Sequence, residues 1–291
     1  MGIVKNLTAA LAAFSTAAAA AQLQQVTSFG DNPSNVRMYI YVPDSLPADP
    51  AVVVAIHYCT GTAQAYYGGT QYAALADQHG YIVVYPESPY SGGCWDVSSD
   101  ATLSRDGGGD SQGIASMVRY VVEEHGADAS RVFVLGSSSG AMMTNVLAAT
   151  YPDLFQAASV HSGVPAGCFY TGTVNGWNSD CSGGTFIQTQ EEWAQTARDM
   201  YPGYDGARPR VQVFHGDADT TLSGRNYGET IKQWTGVFGY DAEPDETAPN
   251  DPASPWTREV YGEKVVGYIG AGLGHSTPLF EERDLEWFGI I

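Results

Sequence analysis

The sequence predicts an α/β protein, a mostly parallel sheet with helices on both faces. Three observations predict this class. Continuous apolar runs at 51–57 and 81–85 are typical of strands that are buried on both faces. Segments of helical composition separate such runs, and this alternation favours parallel pairing. The 291 residues, 44% of them hydrophobic, are enough for a large core.

Seven strands are predicted along the chain. The alternating segment 35–42 ends before Pro43, so it is interpreted as an edge-like strand. The other six predicted strands are 51–57, 81–85, 131–135, 156–161, 210–214 and 265–269.

Five helices are predicted between or after these strands, with irregular stretches elsewhere. Asp110 is of a residue type that caps helix N-termini, and we interpret it as the N-cap of the second helix. The irregular stretches 166–186 and 241–257 are long enough to be functional loops. No linker interrupts the pattern, so we expect a single domain over 22–291. The helices are predicted at 71–79, 110–124, 141–150, 226–238 and 280–288.

The charge balance excludes some partners. The formal net charge is −19, from 32 acidic and 13 basic residues. Such a surface repels phosphate backbones and anionic lipids, so we expect neither nucleic-acid nor membrane binding. The acids are scattered along the chain, as in a solvated acidic surface.

The N-terminus has the pattern of a secretory signal peptide. One Lys precedes a short, Ala-rich apolar run, and Ala19 and Ala21 form an A-x-A cleavage site. The run is too short and Ala-rich to span a bilayer well. We therefore expect a signal peptide over 1–21 and a secreted protein.

The four cysteines suit an oxidising compartment, where they allow three pairings. Cys168 and Cys181 bracket one Gly/Asn/Ser-rich stretch, so a local disulfide between them is the first choice. That choice leaves Cys59 with Cys94. The spacings do not resemble those of a zinc site.

A Gly-Ser-Ser-Ser-Gly stretch places Ser138 between a predicted strand and a predicted helix. The stretch matches G-x-S-x-G, and this context distinguishes a nucleophilic serine from a Ser/Gly-rich turn. Glycines two residues away on each side relieve backbone crowding, and the helix N-terminus favours developing negative charge. The pattern therefore predicts Ser138 as a nucleophile.

A nucleophilic serine needs a histidine and an orienting acid, which follow it in the order acid, histidine on this type of sheet. His275 lies in a glycine-rich loop after the last predicted strand, so it is the predicted base. Asp219 is the preferred acid, and Asp217 is the alternative, interpreted as a supporting carboxylate. His215 is interpreted as a turn residue that supports the acid. His215 and the two aspartates could also be a metal cluster, but no other ligand has a suitable spacing, so we expect no metal or cofactor.

Backbone amides should stabilise the oxyanion. The residue after the nucleophile normally contributes one amide, which indicates Ser139. The loop after the buried strand at 51–57 should contribute the second, from Thr60 or Cys59. For Cys59, a purely structural role through its disulfide is an equal alternative.

The chain resembles fungal family 1 carbohydrate esterases, which include acetylxylan esterases and B-type feruloyl esterases and are related to polyhydroxybutyrate depolymerase-type esterases. The resemblance covers nearly the whole mature chain. It implies an α/β-hydrolase fold with an exposed site and no lid domain, and a triad of Ser138, Asp219 and His275. The segments that carry the resemblance are 57–61, 92–99, 107–111, 137–145, 163–168 and 215–219.

The resemblance also implies a carbohydrate substrate. Trp177 should border the site, where its ring could shape the acyl or sugar pocket. Trp95 and Tyr66 are weaker candidates, for which packing is the alternative. We expect an acylated xylan or a hydroxycinnamate-substituted polysaccharide as substrate. Acetyl is the preferred acyl group and feruloyl the second choice, and a polyester substrate is the third possibility. A silent carbohydrate-binding protein is the rival, disfavoured because all three triad residues are present. We expect a monomer.

Overall fold

Ten strands form one mixed sheet in the part of the chain that the computed structural model describes, residues 21–291. The predicted signal peptide, 1–21, lies outside the described residues except for Ala21. In chain order the strands are β1 (Gln24–Val26), β2 (Arg37–Tyr41), β3 (Ala51–Ile56), β4 (Tyr81–Glu87), β5 (Val132–Ser137), β6 (Ala157–His161), β7 (Arg210–Gly216), β8 (Glu246–Pro249), β9 (Trp256–Tyr261) and β10 (Val265–Gly270).

The centre of the sheet is parallel. The strand order is β1-β2-β4-β3-β5-β6-β7-β10-β9-β8. The six strands from β4 to β10 in this order pair in parallel, and the pairs at both sides are antiparallel. The carboxyl ends of six strands therefore meet at one edge of the sheet.

Two details of the predicted strands are wrong. β2 is not at the edge, because the three-residue strand β1 pairs outside it. β8 and the first two residues of β9 fall within 241–257, which was predicted to be irregular. β8 is a short and mostly exposed edge strand, so no apolar run marks it in the sequence.

Eight helices lie between or after the strands in the described residues. α1 and α6 were not predicted, and α5 falls in the stretch 166–186, which was predicted to be irregular. The N-cap of α3 is Gly109, and Asp110 is its first residue, which corrects the predicted cap. The helices are α1 (Ala63–Gly69), α2 (Tyr72–His79), α3 (Asp110–His125), α4 (Ser139–Thr150), α5 (Ser179–Ser182), α6 (Gln190–Asp199), α7 (Arg225–Phe238) and α8 (Glu281–Phe288).

Helices cover both faces of the sheet, so alternate strand residues belong to two cores. Along β3, Val52 and Val54 pack in the core that includes residues of α3, α4, α6 and α7. Val53 and Ala55 pack in the core that includes residues of α1, α2 and α8. Each fully buried valine contributes about 1.5–3 kcal/mol relative to an exposed one. Burial on both faces explains the continuous apolar runs in the sequence.

Both predicted disulfides are present, Cys59–Cys94 and Cys168–Cys181. Cys59, Cys94 and Cys168 lie in loops that follow parallel strands, and Cys181 lies in α5. Among the described residues, no helix is long and apolar enough to cross a membrane.

Candidate active site

Ser138 occupies a strained turn between β5 and α4. Its φ of 55° and ψ of −120° are unusual for a residue with a side chain. A Cβ at Gly136 would overlap the backbone of Gly140, and a Cβ at Gly140 would overlap the carbonyl oxygen of Ile56. Both positions therefore require glycine, as the sequence motif predicts.

The side chains of Ser138, His275 and Asp219 form one hydrogen-bonded chain. His275 Nε2 lies 2.8 Å from Ser138 Oγ, and His275 Nδ1 lies 2.7 Å from Asp219 Oδ2. Because a carboxylate can only accept, Nδ1 carries the proton and Nε2 is free to accept the serine proton. Residues that are 137 and 56 positions apart in sequence thus meet at the carboxyl edge.

Asp219 is buried and saturated with donors. Its Oδ1 accepts from the amides of Thr221 and Leu222, at 2.8 and 3.0 Å. Its Oδ2 also contacts His215 Nε2, at 3.1 Å. Burial alone would raise the pKa of Asp219, but the hydrogen bonds from His215 and His275 outweigh it, so the pKa lies well below its usual range. The carboxylate therefore stays ionised beside the imidazole.

His215 and Asp217 hold the loops that carry the acid and the base. His215 is buried, and its Nε2 lies 2.9 Å from the carbonyl oxygen of Leu222. Asp217 accepts from the amide of Gly272, at 2.6 Å, in the loop that leads to His275. The structure thus places Asp217 at the backbone of the histidine loop and Asp219 at the imidazole.

The amide of Thr60 is not available to a substrate, which corrects one predicted role. Thr60 has a φ of 64°, and its N–H donates to the carbonyl oxygen of Gly92, at 2.8 Å. In residues 21–291, the amides of Cys59 and Ser139 have no hydrogen-bond acceptor. Both line the same cleft as Ser138. Cys59 and Ser139 are therefore the two predicted donors that remain free.

A buried histidine supports the loop that carries Cys59. The Nδ1–H of His57 donates to the carbonyl oxygen of Tyr58, at 2.7 Å, and Nε2 accepts from the amide of Ser88, at 3.2 Å. Burial lowers the pKa of His57, which favours the neutral ring that this pairing needs. The carbonyl of His57 accepts from Trp95 Nε1, at 2.8 Å. Sequence reasoning gave His57 no role.

The comparisons with known proteins agree with one another. The family described as Esterase PHB depolymerase matches residues 36–240. Acetylxylan esterase A of Aspergillus awamori is 58% identical over 271 residues, which span 92% of this chain and 89% of that protein. The chain belongs to the Esterase PHB depolymerase family.

Two further relatives support the assignment. Acetylxylan esterase A of Emericella nidulans is 56% identical over 92% of this chain and 90% of that protein. The solved structure of an acetyl xylan esterase from Aspergillus awamori has a TM-score of 0.92 at 57% identity, covering 93% of this chain and all of that one. The chain is therefore a carboxylic ester hydrolase with the α/β-hydrolase fold, and the resemblance seen in the sequence is confirmed.

A cleft of about 720 Å³ lies beside Ser138 of this esterase. Aromatic side chains form much of its wall, among them Tyr58, Phe169 and Trp177. Trp177 is 58% exposed, and its ring packs edge-to-face on Phe169 with centroids 5.1 Å apart. The structure thus places Trp177 at the border of the site, as expected.

Tyr66 and Trp95 line the cleft but have almost no accessible surface. Tyr66 is 2% exposed and Trp95 is 1% exposed. The hydroxyl of Tyr66 contacts Ser137 Oγ at 2.9 Å, next to the nucleophile turn. Packing, the alternative, therefore accounts for most of their surface, and their contact with a substrate stays a prediction.

A buried polar network behind the nucleophile turn was missed. The amide of Ser138 donates to the carbonyl oxygen of His161, at 2.9 Å. The imidazole of His161 contacts Asp284 of α8, at 3.1 Å, and Asp284 also accepts from Tyr72 and Gln212, at 2.6 and 2.8 Å. These residues are separated by tens of positions, and no local spacing in the sequence joins them.

Proposed function

We propose that this protein is a secreted acetylxylan esterase, which removes acetyl groups from xylan through an acyl-serine intermediate. The observation that carries the proposal is the hydrogen-bonded chain of Ser138, His275 and Asp219 in a cleft. The substrate follows from the relatives, which are acetylxylan esterases at 56–58% identity.

In the first half-reaction, Ser138 Oγ attacks the ester carbonyl while His275 Nε2 takes its proton. The tetrahedral intermediate collapses, and His275 returns the proton to the departing sugar oxygen. The sugar hydroxyl is freed, and the acetyl group stays on Ser138. In the second half, water loses a proton to His275 and attacks the acyl carbonyl. The intermediate collapses as His275 returns that proton to Ser138 Oγ, which releases acetate and restores the serine.

Asp219 orients the imidazole and stabilises its charged form. Its depressed pKa keeps it a carboxylate throughout the cycle. The hydrogen bond to Nδ1 fixes the tautomer in which Nε2 faces the serine.

The amides of Ser139 and Cys59 are the proposed oxyanion donors. Ser139 is the first residue of α4, so the positive end of the helix dipole supports its amide. The Cys59–Cys94 disulfide fixes the second loop. Each donor of this kind is worth about 3 kcal/mol in the transition state.

Trp177 is the proposed contact for the acyl group or the sugar. Its exposed ring borders the cleft, and aromatic faces pack well on apolar groups. The cleft is large for an acetyl group alone. This supports a second candidate function, release of ferulate from arabinoxylan.

Release of acetate and ferulate from natural xylan by the purified mature chain tests the substrate. We expect acetate as the main product, and none of it from the Ser138→Ala variant. Ferulate released faster than acetate would favour the second candidate. Release of neither, with short polyesters hydrolysed instead, would contradict both.

Secretion and a monomeric state are also proposals. The leader pattern at 1–21 and two disulfides support secretion. The net charge of −19 opposes self-association.

A further inference from the structure

A short buried stretch, residues 96–99, lies between the disulfide at Cys94 and α3. Asp96, Ser98 and Ser99 are 1%, 0% and 5% exposed, although the sequence here reads as an ordinary polar loop. Buried polar groups of this kind need partners, and their partners show what they hold in place.

The Asp96 carboxylate collects donors from two parts of the chain. Its Oδ1 accepts from the amides of Ser98 and Ser99, at 3.1 and 3.2 Å, and Oδ2 accepts from Ser99 Oγ, at 2.5 Å. Oδ1 also accepts from the amide of Asn175, at 3.0 Å, which is 79 residues away. The donors from Ser98 and Ser99 hold the Asp96 carboxylate in place, and this carboxylate in turn holds the backbone of Asn175.

Ser98 holds the same distant segment at several points. We define the rim segment as residues 171–177. The carbonyl of Ser98 accepts from the amides of Thr171 and Gly172, at 3.0 and 3.1 Å. Its Oγ accepts from the amide of Gly176, at 2.7 Å, and lies 2.9 Å from the carbonyl oxygen of Thr173.

The rim segment ends at Trp177, whose own packing is sparse. The ring is 58% exposed, and its aromatic contact is with Phe169. Asn175 has a φ of 53°, a left-handed conformation that asparagine adopts more readily than most residues other than glycine, and its amide is bound by Asp96 in this conformation. The backbone held by Asp96 and Ser98 therefore decides where the Trp177 ring stands.

The buried stretch also adjoins the opposite wall of the cleft. Cys94 is bonded to Cys59, and Trp95 donates to the carbonyl of His57. Residues 94–98 thus connect the Cys59 loop with the rim segment, so the two walls share one support.

We propose that Asp96 and Ser98 are positioning residues that set the Trp177 wall of the cleft and so determine which acyl groups the esterase accepts. The proposal rests on the proposed ester hydrolysis at Ser138. Asp96 and Ser98 act through Trp177, since their bonds end on the backbone of the rim segment. A misplaced pocket wall changes discrimination between acyl groups by about tenfold or more.

The test compares kcat/KM for p-nitrophenyl acetate and p-nitrophenyl butyrate, which share a leaving group. In Ser98→Ala we expect the acetate-to-butyrate ratio to change about tenfold, and Asp96→Asn to change it in the same direction. Added to Trp177→Ala, Ser98→Ala should change the ratio no further. Ser111→Ala is the matched control, because Ser111 is also buried and bonds to a backbone carbonyl but does not touch the rim segment.

Two results would overturn the proposal. One is an unchanged ratio in Ser98→Ala, which includes an equal loss with both esters, and the other is a change of ratio that persists in the Trp177→Ala background. If Ser98→Ala does not fold, Asp96→Asn decides alone, because it nearly keeps the side-chain volume and weakens the acceptor for the amide of Asn175. The same change of ratio is expected, and an unchanged ratio in that variant would overturn the proposal.

Failure of the proposed function is distinguishable from failure of this inference. If the wild-type protein hydrolyses neither ester, or if Ser138→Ala retains its activity, the ester hydrolysis at Ser138 is wrong. If the wild type is active through Ser138 and the ratio does not respond to Ser98, only the inference is wrong.

Discussion

The nucleophile turn and the rim segment lie on the same cleft but are held in different ways. Ser138 stands at the end of a strand with parallel neighbours on both sides, and two glycines fix its turn sterically. The rim segment is held mainly by hydrogen bonds between its backbone and Asp96 and Ser98. The comparison shows that sheet topology places the turn of Ser138, and that a few polar contacts place the rim segment which we propose selects the substrate.

The two regions also differ in their buried carboxylates. Histidine donors lower the pKa of Asp219 on the catalytic side. On the rim side, Asp110 accepts from the amide of Asp96, and burial raises its pKa to about 6. Asp219 should therefore stay ionised in mild acid, whereas Asp110 should take up a proton as the pH falls through about 6.

The largest expected effect is the loss of the nucleophile. Ser138→Ala should lower kcat by about 10⁴-fold or more, by analogy with other triads. Steady-state hydrolysis of p-nitrophenyl acetate measures it. Ser139→Ala keeps the amide that is proposed to bind the oxyanion, so it should cost far less. Equal losses in both variants would contradict the assignment of the nucleophile.

The second largest effect on kcat is expected from the loss of the orienting acid. Asp219→Asn should lower kcat by about 10³- to 10⁴-fold, because the amide can favour the wrong tautomer of His275. Asp217→Asn should cost less than tenfold, since Asp217 bonds to the backbone of Gly272. The reverse ranking in the same assay would assign the acid to Asp217.

A methyl group added at the nucleophile turn should lower the free energy of unfolding of the protein. Gly140→Ala would press a Cβ onto the carbonyl of Ile56, so we expect a loss of about 3 kcal/mol in the free energy of unfolding. Gly228→Ala is the matched control in α7, where a Cβ meets open space and should stabilise by up to about 1 kcal/mol. Urea denaturation measures both. A harmless Gly140→Ala would show that the turn is not sterically fixed.

The pH dependence of stability should sharpen the contrast between the regions. The folded-state pKa of Asp110 lies above its unfolded value, so its contribution is fully present below pH 4 and is lost as the pH rises through about 6. The loss is at most about 3 kcal/mol. Urea denaturation from pH 4 to 7 measures this loss as the difference between the wild type and Asp110→Asn. If the unfolding free energies of the two proteins change equally with pH, the role of Asp110 is refuted.

Much of the chemistry was predictable, because it depends on short patterns in a fixed topological order. The buried strands are continuous apolar runs, and the glycines around Ser138 mark the turn. The order serine, acid, histidine then selected Asp219 and His275, which the structure brings together.

What sequence could not show depends on contacts between distant segments. The amide of Thr60 donates to the carbonyl oxygen of Gly92, and the two residues lie in loops that the Cys59–Cys94 disulfide joins. For Tyr66 and Trp95 the sequence left substrate contact and packing open, and only the structure shows that both are buried. The sequence places Asp96 in an irregular stretch, and only the structure shows that it accepts a hydrogen bond from the amide of Asn175.

Trapping the acyl-enzyme tests the central claim most directly. The protein is mixed with p-nitrophenyl acetate, quenched in acid before the acyl group is hydrolysed, digested, and sequenced by mass spectrometry. We expect one acetyl group per chain, on Ser138, and none in the Ser138→Ala variant. An acetyl group on Ser137 or Ser139, or rapid hydrolysis with no acylated serine, would contradict the account.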